Sequence, residues 1–238
     1  MTSAIILAGG LGTRLRQAVP DLPKPMAPLD GRPFLEYQMD YWIGQGVRHF
    51  VLSVGYKHEL IEKHFGATYR GAEVDYAVET EPLGTGGGLL LAMSIVRAAG
   101  PWLVLNGDTF FDVSLAKLRK FHEAKQAEIT LSLFPVENNT RYTGVEVDNA
   151  QRITVLKSIG DGSRQLINGG VYLLSKAALS GLPYRTGDKA SFENDILERA
   201  LEAGKRLYGY SSNGKFIDIG VPEDYSRAAH LLVGQGTR

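Results

Sequence analysis

Short apolar runs alternate along the chain with stretches whose apolar positions recur at helical spacing. Ala4–Ala8 predicts a strand. Phe34, Leu35, Met39, Trp42 and Ile43 share one face of a predicted helix, and His49–Gly55 reads as the strand that follows it. The same rhythm continues with an amphipathic helix around His58–Phe65 and a strand Glu73–Glu79 that carries Val74, Tyr76 and Val78 on one face. A helix from about Gly86 to Ala98 and the apolar strand Trp102–Leu105 follow. Repeated βαβ units of this kind predict an α/β fold, a doubly wound, mostly parallel Rossmann-like sheet flanked by helices. Ligands of such sheets sit beyond the carboxyl ends of the strands.

After about residue 125 the pattern changes to strands with few helices between them: Glu128–Pro135, Gly144–Val147, Ile153–Leu156 and Gly170–Leu174. This predicts a mixed or antiparallel extension of the sheet forming a smaller lobe. A helix around Phe192–Ala203, a short strand Phe216–Ile219 and a helix from about Pro222 complete the expected elements. The 238 residues suit one domain with two portions, about 1–125 and about 126–238. Leu231 and Leu232 on the last helix are candidates for the core or for a homodimer interface.

Lys plus Arg equals Asp plus Glu, 26 of each. No global field gathers nucleic acid or anionic lipid, and any anion site has to be local. No basic leader, cleavage site or apolar run near the roughly 18 residues of a membrane span stands out, which reads as a cytoplasmic protein without a membrane partner. Cysteine is absent, so disulfides and thiolate metal sites are excluded.

The candidate anion site is the stretch AIILAGGLGTRLRQAVPDLPKPMAPL, residues 4–29. Gly9, Gly10 and Gly12 follow the first strand, where glycine exposes backbone N–H groups to a close-lying phosphate or base; a glycine-rich turn without a ligand is the alternative. A Walker A loop is excluded because Thr13 and Arg14, not Lys and Ser/Thr, follow Gly12. A dinucleotide fingerprint has Leu15 where its third glycine belongs, and Pro20, Pro23, Pro25 and Pro28 crowd its first helix. Lys24 stands between two prolines, which predicts an ammonium presented from a stiff extended segment. Arg14 and Arg16 add cations close to the glycine turn, and Arg14 can fork onto phosphate oxygens.

The glycine loop with Thr-Arg-Leu followed by Pro-Lys-Pro resembles the signature of the sugar-1-phosphate nucleotidyltransferases. Further matches run in order through ETEPLGTGGG (79–88), LVLNGD (103–108), INGGVYLLS (167–175), SFENDIL (191–197) and FIDIGVPEDY (216–225). The pattern is most similar to the short bacterial D-glycero-α-D-manno-heptose-1-phosphate guanylyltransferases, because the chain stops soon after IGVPEDY, without the C-terminal β-helix of the longer mannose enzymes. Two departures stand out. LRQAVPD lacks the proline that many members carry two residues after Thr-Arg-Leu, and VLKSIGD has Leu156 and Ser158 where many carry Glu-Lys-Pro.

The resemblance implies attack of a sugar 1-phosphate on the α-phosphorus of GTP with Mg2+ as cofactor. Two anions have to be aligned and their charge neutralised. By the same resemblance Asp108 and Asp218 hold the metal, Arg14 the β- and γ-phosphates, and Lys24 the α-phosphate or the attacking phosphate. The nucleotide would lie along Leu7, Ala8, Gly9, Gly10, Gly12, Thr13, Arg14, Glu79, Pro82, Gly84, Thr85 and Gly86. The sugar phosphate would meet Lys24, Asn106, Gly107, Lys157, Asn168, Gly169 and Glu193. A carboxylate at Glu79 can accept from both N1–H and the N2 amino group of guanine, which adenine does not offer; uracil has one N–H for it, so a uridylyl- or thymidylyltransferase stays open. Gly84, Gly86 and Gly87 either let a base or ribose lie close or form a helix-entry turn.

The residues also bear on two other classes. A glycosyltransferase often brings Asp-x-Asp to its metal, whereas Asp108 is followed here by Thr109 and Phe110. A nucleotide or sugar-phosphate sensor would keep the glycine loop without needing Arg14, Lys24, Asp108 and Asp218 together. The five histidines, His49, His58, His64, His122 and His230, show no ligand spacing and read as surface or helix-face residues.

Overall fold

The computed structural model describes residues 2–10, 21–137, 143–158, 165–220 and 222–232. In chain order these form β1 (Thr2–Leu7), a hairpin of β2 (Pro28–Leu29) and β3 (Arg32–Pro33), α1 (Phe34–Gly44), β4 (Val47–Val54), α2 (His58–Phe65), β5 (Thr68–Tyr69), β6 (Ala72–Val78), α3 (Gly84–Ile95), β7 (Trp102–Asn106) and β8 (Thr109–Phe111). They continue with α4 (Leu115–Ala124), β9 (Ile129–Val136), β10 (Gly144–Val147), β11 (Ile153–Ser158), β12 (Gln165–Leu174), α5 (Leu197–Glu202), β13 (Leu207–Ser211), β14 (Phe216–Asp218) and α6 (Pro222–Leu232).

Four strands form the parallel centre in the order β7, β1, β4, β6, so the first strand of the chain lies between the second and fourth of the set. A strand covered on both faces has no polar side to show, and β1 is accordingly apolar without a break from Ala4 to Leu7, with Ala4, Ile5 and Ile6 fully buried. Apolar side chains alternate between two faces. Ile6, Phe50, Leu52 and Leu105 pack with Leu35, Met39 and Trp42 of α1, while Ile5, Val51, Ala77 and Val104 pack with Leu89 and Ala92 of α3. A third cluster joins Phe34, Phe110, Ile217, Ala228 and Leu232, with Leu231 packed against it, so both leucines at the end of α6 serve the core.

β12 extends the parallel centre as an antiparallel neighbour of β7, and β9 runs along its other edge with β13 outside. The long strand β12 changes partner along one edge. Its amino half pairs with β10 and its carboxyl half with β7, and the register shifts between Asn168 and Tyr172. Gly170 has φ +70° there, and a Cβ on it would meet the Thr109 hydroxyl at 2.5 Å and Asn106 Cβ at 3.1 Å. The glycine pair that marked the expected start of this strand therefore lies inside it as a bulge, and β12 begins five residues earlier.

Other differences also have local causes. The helix expected over 192–203 is a five-residue π turn, Phe192–Ile196, running into α5 and ending before Gly204, whose φ is +72°. Ser191 caps it reciprocally: its hydroxyl accepts from Asn194 N–H at 3.1 Å, and Asp195 accepts Ser191 N–H at 2.7 Å. α4 and β13 have no counterpart in the sequence reading. Ser114 caps α4, and Leu115, Leu118 and His122 form its buried face. His49 corrects the surface assignment of the histidines. It is 3% exposed in β4, with Nδ1 on the Ser3 hydroxyl at 2.9 Å and Nε2 on Asp75 at 3.0 Å. Among the described residues no helix is long and apolar enough to cross a membrane.

Candidate active site

The carboxyl ends of β1, β4, β6 and β7 share one edge of the sheet, where the chain leaves β1 through Ala8, Gly9 and Gly10. Two bonds pin this exit: Ala8 N–H donates to Ser53 O at 2.8 Å and Gly107 N–H to Leu7 O at 2.9 Å. A cavity opens on either side of it. One, of about 510 Å3, is lined by Gly9, Gly55, Tyr56, His58, Val78, Glu79, Thr80, Glu81 and Pro82. The other, of about 230 Å3, is lined by Leu7, Ala8, Gly10, Lys24, Pro25, Thr85, Asn106, Gly107, Asp108 and Glu193.

Glu79 is part of the lining of the larger cavity. Its Oε2 accepts Leu83 N–H at 2.9 Å and its Oε1 accepts the Ser53 hydroxyl at 3.2 Å. Burial raises its carboxyl above the ordinary carboxylate range, and those two donors oppose the rise. A Cβ on Gly9 would collide with Oε1, and one on Gly88 would stand 2.7 Å from it. Glycine at these two positions is what lets the loop and α3 close around the carboxylate.

In the smaller cavity Lys24 Nζ bonds Asp108 Oδ2 at 2.5 Å, with the lysine side chain 14% exposed. Lys24 does not sit in extended backbone as expected. Lys24–Met26 form a single 3-10 turn closed by Met26 N–H on Pro23 O at 2.8 Å, and Pro25 fits because its place near the start of the turn requires no N–H donor. β14 pairs with β8 so that Asp218 faces Thr109, and Ile219 N–H donates to Asp108 O at 3.0 Å. This short ladder brings two carboxylates from distant parts of the chain to the same corner.

Gly220 completes that corner, its N–H donating to Asp218 Oδ1 at 2.7 Å. A Cβ here would stand 2.5 Å from Lys24 Nζ and 2.8 Å from Asp218 Oδ1. Gly220→Ala should therefore displace the ammonium from Asp108 and lower turnover by about ten- to a hundredfold, the scale of misplacing a catalytic group by about 1 Å. Thermal melting beside the turnover assay checks this, since a flexible lysine tip can move aside without unfolding the protein.

Among the described residues no group of three or more His, Cys, Asp or Glu converges, and those at this corner offer a cation the two carboxylates of Asp108 and Asp218. That set suits Mg2+, which takes one or two carboxylates and fills its remaining positions with water and substrate phosphate; it does not suit a cation that wants an all-protein cage.

Glu193 lies in the π turn and reaches the smaller cavity held by three donors. Oε1 accepts Asn106 Nδ2 at 3.1 Å and the Tyr172 hydroxyl at 3.2 Å, and Oε2 accepts the Thr85 hydroxyl at 2.9 Å. Tyr172 is fully buried and was not among the residues selected from sequence, because an aromatic in an apolar strand gives no sign of a polar task. Burial and the Glu193 charge push its hydroxyl well above the usual tyrosine range, so it stays a donor.

Not every candidate residue joins a cavity. Asn168 donates to the Tyr172 hydroxyl at 2.9 Å and accepts Gly170 N–H at 3.1 Å, and Gly169 lies against the Phe111 ring, so both act from behind the lining. Lys157 lines neither cavity, and its Nζ bonds Glu198 of α5 at 2.5 Å. Gly84 and Gly86 meet the chain itself. A Cβ on either would come within 2.6 to 3.0 Å of Ala190 O, which also accepts Gly86 N–H at 2.8 Å. Gly12, Thr13, Arg14 and Arg16 lie outside the described residues.

The family model described as "Nucleotidyl transferase" matches residues 3–234. The D-glycero-alpha-D-manno-heptose 1-phosphate guanylyltransferase of Aneurinibacillus thermoaerophilus is 44% identical over 96% of this chain and 97% of its own length; that of Campylobacter jejuni is 41% identical over 97% and 98%. The crystal structure of HddC from Yersinia pseudotuberculosis superposes with a TM-score of 0.83 at 35% identity, covering 97% of this chain and 99% of that one, and its complex with GMP-PN superposes at 0.82. With a sheet-edge glycine loop, paired aspartates and a family match over almost its whole length, this chain belongs to the nucleotidyl transferase family, alongside the sugar-1-phosphate guanylyltransferases.

Proposed function

We propose that the protein transfers a guanylyl group from GTP to D-glycero-α-D-manno-heptose 1-phosphate, giving the GDP-sugar and pyrophosphate. The observation that carries this reading is the pair of cavities on either side of the β1 exit, one ending on the Glu79 carboxylate and the other containing Lys24, Asp108 and Glu193. The larger, about 510 Å3, lies in the range that holds a whole small ligand and has room for a purine and its ribose. Among the described residues each oxygen of Glu79 has one protein donor, which leaves acceptor capacity to match the two adjacent N–H donors of guanine.

The smaller cavity then takes the sugar, with Glu193 accepting its hydroxyls and Lys24 meeting phosphate. The attacking oxygen of a phosphomonoester is already ionised at neutral pH, so no side chain has to remove a proton. That oxygen forms the new bond to the α-phosphorus as the α–β anhydride bond breaks, and pyrophosphate departs with the bonding pair. Lys24 carries three N–H donors, one of them on Asp108, and an ammonium can share the others with phosphate oxygens. Asp108 and Asp218 are the residues that would hold Mg2+, which supplies charge neutralisation at the phosphates when bound. Arg14 is assigned to the β- and γ-phosphates by its place in the family signature.

The test is pyrophosphate release from a panel of GTP, ATP, UTP and CTP against heptose, mannose, glucose and N-acetylglucosamine 1-phosphates, with and without Mg2+. GTP with the heptose 1-phosphate should give the highest kcat/KM, followed by mannose 1-phosphate, which lacks one hydroxymethylene. Release with UTP in preference to GTP would overturn the base assignment, and no release with any pair would overturn the reaction.

A further inference from the structure

Thr85 opens α3, in the glycine-rich stretch that the family pattern assigns to the nucleotide. Its hydroxyl faces Glu193. It donates to Glu193 Oε2 at 2.9 Å and accepts the backbone N–H of Phe192 at 2.8 Å, so its one proton and one of its two acceptor sites are spent on the π turn that carries Glu193. The surrounding backbone makes the same connection. Gly86 N–H and Gly87 N–H both donate to Ala190 O, and Ala190 N–H donates to Leu83 O at 2.9 Å. Leu83 N–H in turn holds Glu79. A set of hydrogen bonds thus joins the base cavity to the sugar cavity across more than a hundred residues of sequence, and Thr85 carries it to the Glu193 side chain.

A carboxylate can be aimed only if its rotation is blocked. Asn106 and Tyr172 hold Oε1 alone, and pivoting about that oxygen would swing Oε2 through the cavity. The Thr85 hydroxyl is the donor on Oε2 that stops this movement. We propose that Thr85 is a positioning residue for the sugar 1-phosphate, acting through Glu193, and not a nucleotide ligand. This rests on the reading of Glu193 as the sugar-binding carboxylate.

The experiment measures binding and turnover separately. Calorimetric titration of the heptose 1-phosphate into wild type, Thr85→Val, Thr85→Ser, Glu193→Gln and the Thr85→Val/Glu193→Gln double variant reads sugar affinity without chemistry. Thr85→Val keeps the shape and removes the hydroxyl; affinity should fall about tenfold, the scale of losing one hydrogen bond to a charged group, while Kd for GTP stays within about twofold. Thr85→Ser should restore wild-type affinity. In the Glu193→Gln background, Thr85→Val should add little, because a residue that acts through another has no effect once its target is altered. Equal sugar affinity in wild type and Thr85→Val, a loss confined to GTP, or additive losses in the double variant would each overturn the proposal. Should Thr85→Val fail to fold, Thr85→Ala makes the same comparison. Absence of pyrophosphate release by wild type is a separate result, and counts against the reaction rather than against Thr85.

Discussion

Asp108→Asn and Asp218→Asn should each lower turnover by about a hundred- to a thousandfold, the usual cost of removing one preorganised charge from a site where charge develops in the transition state. The two act at one corner. Asp108 follows β7 and Asp218 ends β14, and the pairing of β14 with β8 brings them together. Asparagine keeps the size and one oxygen, so Lys24 retains an acceptor at position 108, and the side chain there is already 39% exposed. Melting temperatures should accordingly stay near wild type while kcat falls. The Mg2+ concentration needed for half-maximal activity should rise in both variants, since each removes one of two carboxylates, and chelation should abolish wild-type turnover. Near-normal turnover in either variant, or wild-type activity that chelation leaves intact, would remove the metal role from this pair.

The doubly wound half was legible because its signals are local. A parallel strand covered on both faces leaves an unbroken apolar run, as in Ala4–Leu7 of β1 and Trp102–Leu105 of β7, and the apolar stripe of α2 ends with the helix at Phe65. β12 was cut short because a glycine pair reads as a break, and only the opposing side chains of Asn106, Thr109 and Phe111 reveal that it lies inside the strand. His49 was misassigned because period-two alternation cannot tell a buried polar position with two partners from an exposed one.

The site divides in the same way. Lys24, Asp108 and Glu193 were found as motif members, yet their grouping depends on contacts between residues 24 and 108 and between 85 and 193, which no spacing encodes. Lys157 shows the limit of carrying a role by position. Its motif has leucine in place of the usual acid, and in the structure the lysine bonds Glu198. The acid that follows β6 was readable as a candidate for base recognition, but the Ser53 hydroxyl that bonds it lies buried in a neighbouring strand.

Glu79→Gln tests that base contact and should reduce kcat/KM for GTP by about a hundredfold or more, because a site built to pair two N–H donors discriminates strongly when one acceptor is lost. The amide can be accommodated without unfolding. Its oxygen can keep the bond from Leu83 N–H, and the Ser53 hydroxyl can rotate to accept from the new NH2. That NH2 would then face a guanine N–H, donor against donor. ITP, which lacks the N2 amino group, should be a weaker substrate than GTP for wild type by about tenfold, and the preference should vanish in Glu79→Gln. The same variant separates recognition from stability through pH. Burial raises the Glu79 carboxyl, so the folded protein favours its neutral form, and the stability this group contributes is present at low pH and lost as pH rises through the raised value. Glu79→Gln should therefore melt no lower than wild type at neutral pH. Guanine pairing has the opposite sign, since it needs the ionised carboxylate: wild-type KM for GTP should rise as pH falls toward that value, from a point above the ordinary carboxylate pKa of about 4.3, while the KM of the variant stays flat over that range. A wild-type KM for GTP that does not change over this interval, or a variant that still prefers GTP to ITP, would take guanine recognition away from Glu79.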